Sequence, residues 1–432
     1  MSPILICFIG ICVLLLLIAL RIPIAFSLAI VGLAGSCAVI GTEVAFKATA
    51  VNSFGAIKNW LLVAVPLFIA MGNFAHLAGI STHAYDVSDK WLSRMPGGLA
   101  IASVFACALF AATSGSSVAT AGLMGAVAIP EMLKYGYSKR LATGCVAAGG
   151  LLGILIPPSI LLVLYGGITG VSVSKLLIGA VLPGILTAVC YTIGIMIMVK
   201  IFPGIAPRGK RFSWKERIVA LPNIWGVIVL FLVVMLGIYL GIFTPTEASA
   251  VGAAFALAMA LLRSKNAKKA LGAFNETAKT AIMILAIVIG ATVFTYFLTV
   301  AGLPLWVSEK VASMEAQPIW ILLVVLGIFI PLGMFLDTIS ILLITMPILF
   351  PIITAIGYDG VLFGILVVKM EEISLITPPV GINVYVVKGV APDVDLLEIF
   401  AGIIPFLLIE FFVVAILIIF PEITLWLPNT MG

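Results

Sequence analysis

Charged residues are scarce in this chain. Asp, Glu, Lys and Arg make up 9% of its 432 residues, where an ordinary soluble domain carries about 25%. A chain so poor in charge cannot cover itself with a hydrated surface. With 63% hydrophobic residues and a mean hydropathy of +1.31, it reads as an all-α polytopic protein embedded in the lipid bilayer. Histidine is scarcer still: His76 and His83 are the only two, both near a helix end, and both read as structural. The six cysteines (Cys7, Cys12, Cys37, Cys107, Cys145 and Cys190) fall in apolar runs without paired spacing. That excludes a disulfide framework and a zinc site and leaves small packing residues. The net charge of +5 follows the membrane rather than a nucleic-acid partner, which is not expected. Met1 is followed almost at once by an apolar stretch without a basic leader, read as a first membrane helix and not a signal peptide.

What is present is a set of long apolar runs. Spans are expected near 3–20, 22–41, 59–79, 141–166 and 176–200, then near 220–242, 246–262, 280–303, 361–388 and 399–421. Two further blocks, 97–133 and 318–356, each consist of two short apolar arms around a polar or small-residue tip. The tips are Thr113-Ser-Gly-Ser-Ser117 and Pro331-Leu-Gly-Met-Phe-Leu-Asp-Thr338. Such blocks are either re-entrant hairpins ending near the midplane or pairs of short helices joined by an aqueous turn. Both versions return the chain to the side it left.

With ten crossings and two such hairpins, the basic residues gather on one face. Lys90 and Arg94, Lys134, Lys139 and Arg140, Arg208, Lys210, Arg211, Lys215 and Arg217, and Arg263, Lys265, Lys268 and Lys269 all fall there. The positive-inside rule makes that face cytoplasmic. Both termini are then periplasmic, and Lys47, Lys58, Lys175 and Lys310 lie outside.

The chain also contains one stretch twice. Gly153-Ile-Leu-Ile-Pro-Pro-Ser159 returns as Ser374-Leu-Ile-Thr-Pro-Pro-Val380, the proline pairs standing 221 positions apart. Pro351 answers Pro130 at the same offset, and Gly357-Tyr358 answers Gly136-Tyr137. Phe297-Leu-Thr-Val-Ala-Gly302 answers Phe74-Ala-His-Leu-Ala-Gly79 at 223. A near-constant offset over most of the chain is a duplication. Five crossings per half place the second copy upside down, the inverted-repeat architecture of secondary transporters.

Each proline pair lies inside an apolar run, where proline removes an amide donor and clashes with the preceding turn. A break at membrane depth is tolerated where it is buried in protein or lines a watery cavity, so paired breaks in the two halves point to a binding site. Gly150, Gly153 and Ser159 flank the first break, and Thr377, Gly381 and Asn383 the second. Unwound carbonyls supply oxygen ligands for a hard cation, and half-helix N-termini favour an anion. The tips add Thr113, Ser114, Ser116 and Ser117, then Asp337 and Thr338. Asp337 is the sharpest residue, since a carboxylate there costs several kcal/mol unless paired or hydrated. It reads as a cation ligand or, in the plainer alternative, as a helix cap at a wet boundary. Lys369, Glu371 and Glu372 read as mutually salt-bridged or as coupling-ion chemistry.

Enzyme readings fare poorly. A rhomboid-type protease needs Gly-x-Ser-Gly and a membrane histidine, but Ser114-Gly115 follows Ala112-Thr113. A presenilin-type protease needs two membrane aspartates, and only Asp337 qualifies. Asp-rich metal motifs of prenyl-transfer enzymes are absent.

The segments Gly122-Leu-Met-Gly-Ala-Val-Ala-Ile-Pro130, Gly153–Ser159 and Leu375-Ile-Thr-Pro-Pro-Val-Gly-Ile-Asn383 resemble the large permease subunit of tripartite ATP-independent periplasmic (TRAP) transporters. The resemblance runs from about Arg21 to the last helix. It implies an elevator-type, Na⁺-driven importer of small organic anions in the bacterial inner membrane. A separate four-helix membrane subunit and a periplasmic substrate-binding protein are its implied partners. It also implies two or more coupling Na⁺ ions, one site pairing Ser114 and Ser116 with the backbone of Gly153, Ile156 and Pro157. The other pairs Gly333 and Asp337 with Thr377 and Pro378. The anion is then expected between the tips, near Thr113, Ser117, Pro158, Thr338 and Asn383. Residues 97–173 and 304–390 form the expected transport halves, each a hairpin plus a broken helix; 1–96, 174–303 and 391–432 form the scaffold and connecting helices. A stand-alone Na⁺/dicarboxylate or citrate carrier of similar inverted-repeat design is the nearest rival. The anion itself is open: C4-dicarboxylates, keto acids, sugar acids and sulfonates all qualify.

Overall fold

A computed structural model of the chain describes residues 2–207, 212–264, 267–313 and 316–431. Arg208, Lys210, Arg211 and Lys265, invoked above for topology, lie outside the described residues. Among those described, every regular element is helical.

The first half runs Pro3–Ala19, Ile24–Ile40, Thr42–Ile57, a 3₁₀ turn at Trp60–Val63 into Ala64–Leu77, and Ile80–Leu92. It continues with Gly98–Ser114 and Ser117–Lys134, then Lys139–Leu155 and Ile160–Thr169, and closes with Val173–Gly179 leading into Val181–Ile201. After Trp214–Ala220, the second half repeats this order: Trp225–Tyr239, Pro245–Ser264, Ala267–Val300 and Leu303–Ala312. Pro318–Gly333, Thr338–Ala355, Gly360–Ile376, Ile382–Val390 and Leu396–Ile419 follow, with Glu422–Asn429 at the end. Ser117 and Thr338 open matching helices, Lys139 and Gly360 another matching pair, and both pairs stand 221 residues apart. The duplication read from the proline pairs is therefore a duplication of elements.

The halves differ in how one long helix is built. Ala267–Val300 is a single helix of 34 residues, about 51 Å at 1.5 Å per residue. Its counterpart is interrupted at Lys58–Asn59, where the Asn59 side chain accepts from Leu61 N at 3.0 Å and starts a new helix.

Among the described residues, seven helical stretches are long and apolar enough to cross a membrane, and the bent pair Lys139–Leu155 and Ile160–Thr169, meeting at 42°, makes an eighth. Ten spans were expected. Pro3–Ala19 and Ile24–Ile40 are apolar but only 17 residues each, and the second broken helix carries Lys369, Glu371 and Glu372. The arms of the two hairpins are 17, 18, 16 and 18 residues long; the last, Thr338–Ala355, is one of the seven stretches long and apolar enough to cross, where a shorter, non-crossing arm was expected. Large apolar side chains face outward all round, among them Leu262 (77% exposed) and Leu397 (74% exposed). A water-soluble monomer does not carry so extensive an apolar exterior.

At the centre lie the first segments of the two broken helices. Every residue from Leu141 to Leu155 and from Val361 to Ile376 is buried. Leu396–Ile419 lies against Lys139–Leu155 so closely that the Gly144 and Gly402 backbones touch, leaving no room for a side chain at either.

Hydrogen bonds between distant loops sort the chain into two ends. At one, Arg263 Nη1 donates to Ala78 O (3.2 Å), Trp91 Nε1 to Arg217 O (3.2 Å), Ser138 N to Ile205 O (2.9 Å) and Leu99 N to Tyr137 Oη (3.2 Å). At the other, Tyr165 Oη donates to Gly360 O (2.8 Å) and Thr246 Oγ1 to Trp60 O (3.4 Å).

Candidate functional site between two hairpin tips

The first tip is made by a glycine that ends one helix and a serine that starts the next. Gly115 takes φ +61°, which an L side chain rarely adopts, and Ser116 caps the following helix by accepting from Ala119 N at 3.3 Å. Thr120 Oγ1 donates to Ser116 O (2.7 Å) and lies 2.9 Å from Ser114 Oγ, tying the tip together. The first break, Ile156–Ser159, lies directly beneath. A side chain at Gly153 would meet Ser116 O and Thr120 Oγ1, and one at Gly115 would come within 2.8 Å of Pro158 O. Ser159 caps the resumed helix by accepting from Leu162 N at 3.3 Å. Ser114, Ser116, Gly153 and Pro158 thus come together at the first tip.

At the second tip Asp337 caps Thr338–Ala355: Ser340 N donates to its Oδ2 at 3.2 Å, and Ser340 Oγ donates to Oδ1. Asp337 thus acts as the helix cap of the plainer alternative, and it also lines the cavity described below. Gly333 lies against Ser374 with no room for a Cβ. Thr377 ends Gly360–Ile376 and donates through Oγ1 to Ile373 O at 2.6 Å. Pro378 and Pro379 are exposed, whereas Pro157 and Pro158 are buried. Both proline–proline peptides are cis.

The tips enclose one cavity of about 370 Å³ lined by Ser114, Ser116, Ser117, Asp337 and Thr338. Asn73, His76 and Thr280 complete its polar lining from helices outside the hairpins. Three residues expected to meet the anion are not part of the cavity lining: Pro158 is buried beneath Gly115, and two others are engaged elsewhere. Thr113 is fully buried and donates to Phe110 O at 2.8 Å, inside its own helix. Asn383, also fully buried, donates through Nδ2 to Ser117 Oγ (2.7 Å) and Ala147 O (3.2 Å). It holds the second broken helix to the first hairpin rather than facing the cavity.

The donors around both tips are oxygens, the set that suits a hard cation. Among the described residues no group of three His, Cys, Asp or Glu side chains is arranged for a transition metal.

Behind the second break sits a network that was only half foreseen. Lys369 Nζ pairs with Glu372 at 2.6 Å and with Glu410, reaches Thr187 Oγ1 at 3.3 Å, and Tyr191 Oη donates to Glu410. Lys369, Glu372 and Glu410 are all fully buried. Glu371 stands apart, fully buried with neither carboxylate oxygen hydrogen-bonded. Glu410 was missed, although a glutamate in the middle of an otherwise apolar 24-residue helix already demands a partner. His76 was also missed as a cavity residue. A lone histidine in an apolar run carries the same signal.

The fold and this cavity define a polytopic membrane carrier: polar groups from both halves converge inside an apolar bundle. The Alcanivorax borkumensis YdaH transporter has a similar fold, with a TM-score of 0.61 at 15% identity over 90% of this chain and 89% of that one. The sequence is matched over residues 11–423 by the family described as tripartite ATP-independent periplasmic transporter, DctM component, and the chain belongs to that family. It is 36% identical to the C4-dicarboxylate TRAP transporter large permease protein DctM of Pseudomonas aeruginosa over 89% of this chain and 90% of that one. It is 32% identical to the isethionate TRAP transporter permease protein DctMQ of Oleidesulfovibrio alaskensis, over 87% of this chain and 59% of that longer protein. These relatives are transport permeases, not enzymes.

Proposed function

We propose that this chain carries a small organic anion through the inner membrane together with Na⁺, receiving it from a periplasmic binding protein and working beside a small membrane subunit. One observation carries the reading: two hairpin tips and two broken helices, one of each from each repeat, converge on a single cavity bearing hydroxyls and Asp337. C4-dicarboxylate and isethionate, named for the two relatives, are both small organic anions and fit the same design.

The reading takes the second repeat as inverted. The hydrogen bonds at the two ends support it. The first hairpin starts at the end holding Arg263, Trp91 and Ile205, and the second broken helix starts at the end holding Tyr165. The first end also holds Lys90, Arg94, Lys134, Lys139 and Arg140, which makes it cytoplasmic and both termini periplasmic. On this topology the hairpins are re-entrant.

In the proposed cycle Na⁺ is a co-substrate held at each tip. At the first it meets Ser114, Ser116 and the Gly153–Pro157 backbone; at the second, Asp337, Gly333 and the Thr377–Pro378 turn. Ordered tips then hold the anion between Ser117 and Thr338, and coupling requires that the anion bind better when the cation is present.

The moving body is larger than residues 97–173 and 304–390. The Lys369–Glu372–Glu410 network and the Gly144–Gly402 contact fasten Val181–Ile201 and Leu396–Ile419 to the broken helices. A buried ion pair cannot slide past its partner, so these helices travel with the hairpins. The test is reconstitution in proteoliposomes. Uptake that requires a Na⁺ gradient, the small subunit and the binding protein supports the reading. Uptake by this chain alone favours a stand-alone carrier and sinks it.

A further inference from the structure

Nothing assigned so far in the cavity recognises negative charge with a side chain. Its polar lining at the tips is hydroxyls and one carboxylate, and Asp337 repels an anion. Among the described lining residues, His76 is the one side chain able to bear positive charge, and no lysine or arginine joins it.

His76 reaches this position by a specific packing arrangement. It lies in the last turn of Ala64–Leu77. One turn earlier, Gly72 lets that helix approach the first tip; a Cβ there would stand 3.1 Å from Ser114 Cα, Ser114 O and Thr113 O. The imidazole then lies edge-on to the Phe110 ring, with centroids 6.5 Å apart and planes at 83°, and is itself exposed to the cavity. The helix is steadied by Asn73, one turn before His76 on the same cavity-lining face, whose Nδ2 donates to Thr277 Oγ1 at 2.9 Å.

We propose that His76 donates an imidazole N–H to the carboxylate or sulfonate head of the transported anion, and so sets its affinity from outside the hairpins. The inference rests on the reading that this cavity receives the anion. Ala64–Leu77 is not among the helices fastened to the moving body. The contact therefore forms when the tips face this helix and is broken when the body moves away, giving an affinity that differs between the two access states.

The experiment uses the full chain with its small subunit and binding protein in proteoliposomes, with radiolabelled succinate and isethionate as probes. His76→Gln keeps an N–H donor, and His76→Glu has the same shape with an acceptor and a negative charge. Losing a hydrogen bond to a charged group corresponds to about tenfold or more in affinity. The expected result is a KM for His76→Glu at least about tenfold above that of His76→Gln, with kcat and half-saturating Na⁺ within about twofold of each other. Equal KM values for the two variants overturn the assignment. Thr338→Val separates the two levels of the argument. If it raises KM while the His76 variants agree, the cavity holds the anion and His76 does not read it. If all three keep the wild-type KM, the cavity reading itself falls.

Discussion

Gly153→Ala tests whether tip and break form one ion site. The added methyl would stand 2.6 Å from Thr120 Oγ1 and closer still to Ser116 O. Ordinary contact begins at 3.4 Å, so Thr120 would have to retreat by about 0.8 Å, the difference between those two distances. It cannot do so alone, because Thr120 Oγ1 is bonded to Ser116 O at 2.7 Å and lies 2.9 Å from Ser114 Oγ. The whole tip must lift. Overpacking of this kind costs about 1–3 kcal/mol, which lowers the population of the seated tip by about five- to 150-fold. The assay is Na⁺-dependent uptake in proteoliposomes, with thermal stability of the purified protein measured alongside. Half-saturating Na⁺ should rise by about that factor. Gly150→Ala is the control: its methyl would meet Ala121 Cβ at 2.6 Å, on the hairpin arm just past Thr120 and outside the tip's hydrogen bonds, and should lower stability with a smaller shift in Na⁺ dependence. A folded Gly153→Ala protein whose half-saturating Na⁺ stays within about twofold of wild type would refute the shared site.

Asp337→Asn keeps a side-chain oxygen for Ser340 N while removing the charge, so Na⁺-dependent uptake should be lost with assembly intact; near-normal uptake removes Asp337 from the cation site. Lys369→Met leaves Glu372 and Glu410 buried without a counter-charge and should destabilise the protein by about 3–5 kcal/mol, read as a lowered Tm in detergent. Neutralising Glu372 and Glu410 to Gln in the same protein should recover most of that loss, and an unchanged Tm for Lys369→Met alone contradicts the network. A disulfide between cysteines at Gly72 and Ser114, in a background without the native cysteines, pins the first tip to Ala64–Leu77 and should stop transport reversibly. Full-rate transport by the cross-linked protein removes this helix from the scaffold.

The features legible in the sequence are those that need no knowledge of neighbours. A double proline interrupts a helix wherever it lies, and its recurrence 221 residues on located both breaks. The tips followed from hydroxyls and small residues between short apolar arms, and Asp337 from the penalty on a charge in an apolar setting. Destinations of side chains were not legible. In a bundle surrounded by lipid, outward and inward faces are both apolar, so periodicity does not say that Thr113 turns into its own helix. Nor does it say that Asn383 crosses to Ser117. Thr42–Ile57 and Ile80–Leu92 escaped for another reason: they mix polar with apolar residues and so do not read as spans; Ile80–Leu92 packs one face inward, whereas Thr42–Ile57 buries Ala45 alone. Glu410 and His76 were visible as lone polar groups, but what each meets is set by tertiary contact alone.

The buried ion network also bears on how the protein is made. As Gly360–Ile376 leaves the ribosome it carries Lys369, Glu371 and Glu372, each of which disfavours membrane insertion by about 2.5–3.5 kcal/mol near a helix centre. Thr187 and Tyr191 have already been synthesised, but Glu410 comes 41 residues after Lys369. At about 5–20 residues per second, that is a wait of roughly 2–8 seconds. During it the segment has hydroxyls to lean on but not its second counter-charge, so the insertion machinery has to shelter it until Leu396–Ile419 arrives. A chain cut short before Glu410 would lack more than one helix. It would present a charged, half-paired segment to the bilayer.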